Sequence, residues 1–454
     1  LSRRVVVLGG GLAGIAAALD CAAAGASVTL VEVRRRLGGA AYSFEREGLQ
    51  MDNGQHVFLR CCVAYRALLR RLGSESLVSV QPRLDIPVLK PGAAVARMRR
   101  GQLPAPLHLA GALARYPHLS KLQRLGAARA ALALMRLDPE DPQLEAMTFA
   151  EWLARHGQDQ AAVSALWDLI ALPTLNLPAA QASLALSAFV FRTGLLSGAD
   201  AGDVGFHDGT LGEIIGAPAE RALREAGVDV RLGWGAERLA RTGDGFEVHA
   251  RGEADGVSAD AVIVAVPHAR AAMLLEPLLG EAAARDFAAL GSSPIVNLHV
   301  VYDREVTGHG FAAGVGTPVQ YIFDRSAAAG APSGCQYLAV SLSGAEQEMG
   351  MSVDALRERY LPALRELLPR ARRAGVESFL VTREHAATFR AAPGAAALRP
   401  GPRTAVPGLL LAGTWTATAW PATLESAVLS GHAAAGEALR ALELQPRRAR
   451  GAAA

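Results

Sequence analysis

The chain has 454 residues, a net charge of +3 and an apolar fraction of 51%, with only 5% aromatic residues. That length holds two or three domains or one discontinuous pair, and the composition excludes a disordered or collagen-like chain. Of 46 basic residues only Lys90 and Lys121 are lysines, so the arginine content reads as compositional bias; no nucleic-acid-binding motif is present.

The four cysteines, Cys21, Cys61, Cys62 and Cys335, form no CxxC pair, and no His/Cys group has ligand spacing. A disulfide framework and a metal site are both disfavoured, and a reducing cytoplasm is the expected setting. With the first strand expected near residue 3, no leader-like segment is expected within this sequence.

In chain order, residues 3–8 predict a buried strand, 12–25 a helix and 27–32 a second strand. The turn between the first strand and the helix reads Gly9-Gly10-Gly11-Leu12-Ala13-Gly14, and Glu32 ends the second strand. Gly9 permits the tight turn, Gly11 lets a pyrophosphate approach and Gly14 lets helix and strand pack closely; the helix start presents free N–H groups to the phosphates. Glu32 stands where it would accept hydrogen bonds from ribose hydroxyls.

Residues 80–100 alternate and carry prolines, which predicts short strands of a different sheet, and 103–200 read as mostly helical. Thr148-Phe149-Ala150-Glu151 has the form of a capping box. The charge-free run from Leu169 to Phe191 is long enough for a bilayer span, but Pro173, Asn176, Pro178 and Gln181 interrupt it. It reads instead as a helix pair lining an apolar pocket.

Asp208-Gly209-Thr210-Leu211 predicts the start of a helix ending near Gly227. Strands are expected at 228–232, 237–241, 246–250 and 261–266, then antiparallel strands at 294–303, 318–324, 336–341 and 375–383. Leu409-Leu410-Leu411-Ala412-Gly413-Thr414 returns to a nucleotide-type strand and turn, followed by a helix from about Ala422. Two strand-turn-helix units at opposite ends of the chain suggest one large dinucleotide, FAD. The expected organisation is a discontinuous FAD-binding domain (1–80, 203–290 and 402–445), a substrate domain (81–202 and 291–401) and a disordered tail (446–454).

Three further motifs sharpen this. Glu32 is followed by Arg36-Leu37-Gly38-Gly39; Asp52-Asn53-Gly54-Gln55-His56 comes next; and Gly413-Thr414-Trp415-Thr416-Ala417-Thr418-Ala419-Trp420-Pro421-Ala422-Thr423-Leu424 lies near the end. Together they resemble the amine oxidase and carotenoid desaturase flavoprotein superfamily, and within it the hydroxysqualene dehydroxylases, also described as squalene-associated FAD-dependent desaturases of hopanoid and squalene synthesis.

The resemblance implies an α/β fold with a Rossmann-like FAD-binding domain of the glutathione-reductase/amine-oxidase type and an α+β substrate domain. It places Gly9, Gly11, Leu12, Ala13, Gly14, Glu32, Arg36, Gly38, Gly39, Gly54, Gln55, Val266, Gly413, Thr414, Pro421, Ala422, Thr423 and Leu424 around the cofactor. Arg34 and Arg35 read as solvated charges. Ala40 stands where relatives often carry another arginine, and Thr414 where many carry an aspartate that bonds the ribityl chain. Thr414 still offers one hydroxyl.

Four activities stay open: reductive removal of an allylic hydroxyl from a C30 isoprenoid, desaturation of a carotenoid precursor, oxidation of an amine, and non-catalytic lipid binding by a flavoprotein. Amine oxidation is disfavoured because such enzymes often use a lysine near flavin N5 and an aromatic cage, whereas Thr423 takes the cage position here. Dehydroxylation requires a proton donor, for which His56, His207 and Asp208 are candidates, Asp208 being equally readable as a helix N-cap. It also requires an electron donor, which the sequence does not identify.

A C30 substrate prefers an apolar phase by on the order of 20 kcal/mol, at ~0.8 kcal/mol per CH₂. Residues 83–136 carry ten basic residues, among them Arg97, Arg99 and Arg100, against one acid, Asp85, interleaved with leucines. The expectation is peripheral contact with the inner face of the cell membrane.

Overall fold

The computed structural model describes residues 3–138, 141–243, 245–252 and 256–444; the expected tail lies outside the described residues. Val5, Val6, Val7 and Leu8 are all at most 1% exposed. A strand buried on both faces belongs in the middle of a parallel sheet, and Arg4–Leu8 takes that place. Its neighbours are Ser27–Glu32 and Ala261–Val264, with Asp229–Leu232 and Leu409–Leu411 at the edges. Every pairing is parallel: Leu8 lies opposite Val31 and Val264, and Val264 opposite Leu411. The carboxyl ends of the strands therefore share one edge. This gathers Gly9, Glu32, Val266 and Gly413 from three distant parts of the chain, and that edge is where open α/β sheets bind ligands.

Helix Leu12–Ala23 covers one face of this sheet. Helix Leu424–Ala441 packs on it so closely that a Cβ at Gly431 would lie 2.2 Å from the Ala13 carbonyl oxygen. The alanine richness of both helices serves this approach, since small side chains let two backbones meet.

A second sheet of seven strands runs in the order Val376–Phe389, Ser292–Tyr302, Gln336–Ser343, Tyr321–Asp324, Phe311–Gly314, Asp85–Leu89, Ala96–Arg99. It is antiparallel except where Phe311–Gly314 meets Asp85–Leu89. Helix Val353–Leu367 packs Leu356, Tyr360 and Leu364 into its core. The strand Phe311–Gly314 was not expected, nor were the hairpin Ser43–Arg46/Leu49–Asp52 and the small sheet of Phe58–Leu59, Val204–His207 and Val78–Val80. Strands of two to four residues are too short to show a period.

Between the sheets the chain is helical. Thr148 and Glu151 form the expected reciprocal cap on Phe149–Arg155. The apolar run is two helices, Asp168–Leu175 and Leu184–Phe191, separated at Asn176 in a left-handed conformation. The Asn176 side chain donates to the Ser293 carbonyl (2.9 Å) and accepts from Gly344 N–H (2.7 Å), tying this layer to the large sheet. Among the described residues no helix is long and apolar enough to cross a membrane.

Two expectations need correction. The helix expected to open at Asp208 is capped by Thr210, whose hydroxyl and N–H pair with Glu213; one π-helical turn, Gly212–Gly216, precedes α-helix Ala217–Glu225. The C-terminal helix begins at Leu424, capped by Thr423, rather than at Ala422, because the Thr423 hydroxyl accepts from Ser426 N–H.

Candidate active site

The glycine turn is built by close approach. Gly9 has φ of +110°, and a Cβ on it would meet the Ala265 carbonyl oxygen at 2.4 Å; one on Gly14 would meet the Gly9 carbonyl at 1.9 Å. At Gly11 a Cβ would have a single neighbour, the Gly39 Cα at 3.7 Å, so this side of the turn is open. Gly11 precedes helix Leu12–Ala23 without any side-chain cap, which leaves the N–H groups of Leu12 and Ala13 to serve an anion.

Gly38 N–H donates to the Gly10 carbonyl at 2.9 Å, and a Cβ at Gly39 would lie 2.8 Å from Gly11 Cα. The second glycine pair is thus seated on the first. Glu32, 8% exposed, accepts from the N–H groups of Gly10 (2.7 Å) and Arg34 (2.8 Å), which holds its carboxylate at the mouth of the turn. Val266, just past the strand Ala261–Val264, gives its carbonyl to the Trp415 indole N–H at 2.9 Å.

Arg36 donates to the Gly39 carbonyl (3.2 Å) and lies 3.5 Å above the Tyr42 ring. Burial and the neighbouring Arg34 charge push its pKa down. Arg35 is exposed, as expected of a solvated charge; Arg34 is exposed too, but it donates to the Gly39 carbonyl (3.4 Å) beside Arg36. Tyr42 also donates its hydroxyl to Glu384 (3.2 Å), which accepts as well from Asn53 Nδ2 (2.9 Å). Glu384 comes from the large sheet, which thus grips the loop leading to Gly54.

Two more residues of that sheet hold the same loop. Asn297 Nδ2 (3.0 Å) and the Thr382 hydroxyl (2.9 Å) both donate to the Asn53 carbonyl. Thr382 also meets His299 Nε2 at 3.0 Å, while His299 Nδ1 meets the Tyr337 hydroxyl at 2.6 Å. Burial pushes the His299 pKa down to about 4.

The C-terminal loop is clamped by Arg399, a residue with no local sequence signal. One terminal nitrogen of this buried guanidinium reaches the carbonyls of Thr416 (2.6 Å) and Trp420 (2.8 Å), and more distantly that of Thr414 and the Thr418 hydroxyl. Phe389 lies beneath the guanidinium, 4.8 Å from ring centroid to Cζ, and burial pushes its pKa down to about 10. Gly413, at φ +129°, donates its N–H to Ser430 Oγ. The same loop holds Ala419 at φ +64°, a strained position for a residue with a Cβ. Trp420 packs edge-on against Phe189, 5.1 Å between centroids, joining the loop to the apolar helix pair. Pro421 accepts the Thr423 hydroxyl at 3.3 Å; Ala422 and Leu424 flank that cap.

The three proton-donor candidates part company here. His56 is half-buried; its Nδ1 sits 3.1 Å from the Gly54 carbonyl, to which it donates, and its Nε2 has no hydrogen-bond partner among the described residues. Burial pushes its pKa below the usual histidine value, against smaller raising effects of the Gly54 carbonyl and Asp52. His207 has both ring nitrogens engaged, with the Tyr65 hydroxyl (2.6 Å) and the His56 carbonyl (2.9 Å). Burial takes its pKa down to about 3, so it is a neutral strut rather than an acid. Asp208 is exposed and accepts from the Ser79 hydroxyl at 2.8 Å; it is neither a donor in the interior nor a helix cap. These two assignments are corrected by the fold. Asp52 spends its carboxylate on Ser43 (2.7 Å), Leu211 N–H (2.9 Å) and Arg325 (3.0 Å). Both lysines, Lys90 and Lys121, are exposed.

These residues fit a dinucleotide. The turn offers an open glycine face, an uncapped helix start and an acid at the strand end. Beside Gly54, the buried atoms Gln55 Nε2 and Asn297 Oδ1 have no protein partner. Among the described residues no cluster of His, Cys, Asp or Glu could hold a metal ion.

Comparison with known proteins agrees. Residues 12–439 match the flavin-containing amine oxidoreductase family. The chain is 30% identical over 432 residues to the hydroxysqualene dehydroxylase of Rhodopseudomonas palustris, covering 92% of this chain and 94% of that one. It is 24% identical to the zeta-carotene desaturase of Arabidopsis thaliana, covering 91% and 81%. Among solved structures, a putrescine oxidase double mutant superposes with a TM-score of 0.72 at 19% identity over 97% and 99% of the two chains. Cyclohexylamine oxidase from Brevibacterium oxydans superposes with a TM-score of 0.71 at 20% identity over 98% and 100%. The cofactor is FAD. The chain belongs to the flavin-containing amine oxidoreductase family and is an FAD-dependent oxidoreductase.

Proposed function

We propose that the enzyme removes the allylic hydroxyl of hydroxysqualene reductively, giving squalene. The observation that carries this reading is the 30% identity to a hydroxysqualene dehydroxylase along nearly the full length of both chains. A hydroxysqualene dehydroxylase of Sinorhizobium fredii, 28% identical over 92% of this chain, supports it further.

The reaction balances as alcohol plus hydride plus proton giving hydrocarbon plus water. FAD, when bound and reduced, would supply the hydride, and a donor outside this chain would have to reduce the flavin again. The chain contributes the proton and the setting. His56 Nε2 is free to carry a proton towards the leaving hydroxyl while Nδ1 stays fixed on Gly54. Loss of water leaves an allylic cation on the substrate. The absence of a buried lysine and of an aromatic residue at Thr423 argues against amine oxidation.

The substrate's location suggests docking on the inner face of the cell membrane, and the surface of residues 103–132 supports it. On helix Lys121–Met135 the residues Leu122, Leu125 and Leu132 are 82%, 50% and 47% exposed, and lie on one stripe with the exposed Arg129. Leu103 and Leu107, earlier in the chain, are also more than half exposed. Leucines flanked by Arg115, Lys121 and Arg129 have the make-up of an interfacial surface on anionic lipid.

The test is to mix anaerobically reduced enzyme with hydroxysqualene. Flavin reoxidation together with squalene formation is expected. Flavin bleaching of oxidised enzyme by phytoene, with no response to hydroxysqualene, would replace this reading with a desaturase.

A further inference from the structure

Two buried tyrosine–histidine pairs end on carbonyls of the same short loop, Asn53 to His56. Tyr65, His207, Tyr337 and His299 are each at most 3% exposed, so their polar atoms depend on one another rather than on bulk water. The Tyr65 hydroxyl lies 2.6 Å from His207 Nε2, and His207 Nδ1 lies 2.9 Å from the His56 carbonyl. The Tyr337 hydroxyl lies 2.6 Å from His299 Nδ1. His299 Nε2 lies 3.0 Å from the Thr382 hydroxyl, itself 2.9 Å from the Asn53 carbonyl. An aromatic ring stands edge-on to each imidazole: Phe58 at 5.6 Å from His207, and Phe44 at 6.2 Å from His299.

The polarity of both chains follows from the donor and acceptor inventory. A neutral imidazole donates from one nitrogen and accepts at the other. Burial keeps both rings neutral, with the His207 pKa pushed down to about 3 and that of His299 to about 4. A carbonyl only accepts, so His207 carries its proton on Nδ1, and Tyr65 donates to Nε2. The Tyr337 hydroxyl has no other hydrogen-bond partner among the described residues, and a buried hydroxyl proton left unmade is costly, so it goes to His299 Nδ1. His299 then carries its own proton on Nε2 and donates to Thr382, whose hydroxyl donates onward to Asn53. Both chains thus run from a tyrosine hydroxyl through a neutral imidazole to a loop carbonyl, and they require opposite tautomers of the two histidines. One is built from helix Val63–Leu72 and strand Val204–His207, the other from three strands of the large sheet.

We propose that Tyr65 with His207, and Tyr337 with His299, are positioning residues that aim the His56 ring. By fixing the carbonyls of Asn53 and His56 they fix the peptide units between, including the Gly54 carbonyl that receives His56 Nδ1 at 3.1 Å. The ring is then held in one orientation, with Nε2 left over. A catalytic group must stay within about 0.5 Å of its productive place, and a short loop containing a glycine does not achieve that unaided. This rests on the dehydroxylase reading, in which His56 is the proton donor, and adds the residues that set its geometry. None of the four is the acid; each acts through His56.

The test reads the tautomer of each isotope-labelled histidine ring by NMR in the holoenzyme without substrate, with signals assigned by substitution. His207 and His56 are expected as the Nδ1–H form and His299 as the Nε2–H form; another tautomer at His207 or His299 overturns the proposal. Tyr65→Phe and Tyr337→Phe keep each ring and remove only its hydroxyl. Each should broaden or split the His56 signal. Each should also lower the limiting rate of flavin reoxidation by hydroxysqualene about tenfold, the scale of one buried hydrogen bond, with the half-saturating concentration within about twofold. His207→Asn and His299→Gln keep an amide N–H to offer the His56 carbonyl and Thr382, and should recover most of the rate lost in the alanine variants. An unchanged His56 signal in both phenylalanine variants overturns the proposal. So does an equal loss in the amide and alanine variants, which would mark the pairs as packing alone. The ring signals are read without substrate and decide the positioning; squalene formation by reduced parent enzyme separately decides the dehydroxylase reading.

Discussion

The Glu425 carboxylate, in the first turn of the C-terminal helix, accepts the backbone N–H of Tyr65 at 2.7 Å and that of Ala64 at 2.9 Å. A side chain from one helix thereby caps the start of another, Val63–Leu72, whose own N-cap residue, Cys62, supplies no side-chain bond. Glu425→Ala should destabilise the protein by about 2–3 kcal/mol, since it orphans the buried Tyr65 N–H and the part-buried Ala64 N–H. Chemical denaturation of parent and variant checks this, and a loss below about 0.5 kcal/mol would deny the cap its structural role. Burial pushes the Glu425 carboxyl up. Its titration therefore favours the fold below the ordinary glutamate range, and that advantage is lost as pH rises through its folded value.

Glu32→Ala should lose most of the FAD on purification. The carboxylate props the Gly10 turn, and the resemblance of the motif implies a ribose contact for it, so its removal would loosen the turn and delete that contact. Flavin-to-protein absorbance ratio measures this, and full occupancy in the variant would remove Glu32 from the cofactor site.

His56→Ala should slow reoxidation of reduced flavin by hydroxysqualene by about 10²–10⁴-fold, the usual worth of a general acid, while FAD content stays within twofold. The parent rate has a predictable pH profile. Burial lowers the His56 pKa, so the protonated form that donates grows only as pH falls below the ordinary histidine range. The rate should rise towards acid and fall above neutrality. A flat profile from pH 5 to 8, or a slowing under threefold, would release His56 from proton delivery.

Changing Leu122, Leu125 and Leu132 to serine together should cut co-sedimentation with anionic vesicles by roughly 100-fold. This takes about 1 kcal/mol for each partly inserted leucine. Thermal stability should hold, because these side chains are already exposed. Equal co-sedimentation of variant and parent would move the docking surface elsewhere.

Asp203→Asn should destabilise at neutral pH by about 3 kcal/mol, the scale for breaking a buried ion pair. Asp203 is fully buried and bonds Arg100 (2.6 Å) and Arg60 (3.0 Å). Burial alone would raise its pKa, but hydrogen bonds from Arg100 and the Leu84 N–H outweigh it and hold the carboxyl below the ordinary range. That stabilisation is present above about pH 4 and is lost as pH falls through the folded value. The parent–variant gap in urea midpoint should close on acidification.

The same contacts show why charge counting misled. Arg97, Arg99 and Arg100 looked free for lipid, yet Arg97 and Arg99 both face Asp85, at 2.8 and 3.5 Å, and Arg100 is consumed by Asp203. Asp203 lies 103 positions beyond Arg100, outside any local window. Charge reversal there would damage the fold before it tested any membrane. The exposed leucine stripe, by contrast, was present in the spacing but indistinguishable from core until burial was known.

What the sequence determined by itself was the cofactor cradle. Positive φ at Gly9, an uncapped helix start at Gly11 and an acid at the end of the second strand are demands of a few consecutive residues, and local backbone sterics impose them wherever the chain folds. Tertiary structure decided which polar atoms were left over. His56, His207 and Asp208 were equivalent as residue types; packing gave His207 two partners, put Asp208 in solvent and left His56 Nε2 free. Arg399, Glu425 and Asn297 act across 15 to 361 positions, with Asn297 meeting Asn53 from 244 residues away. Such contacts depend on sheet register and helix docking, which no periodicity encodes, so the binding framework was legible while the residues that aim the chemistry were not.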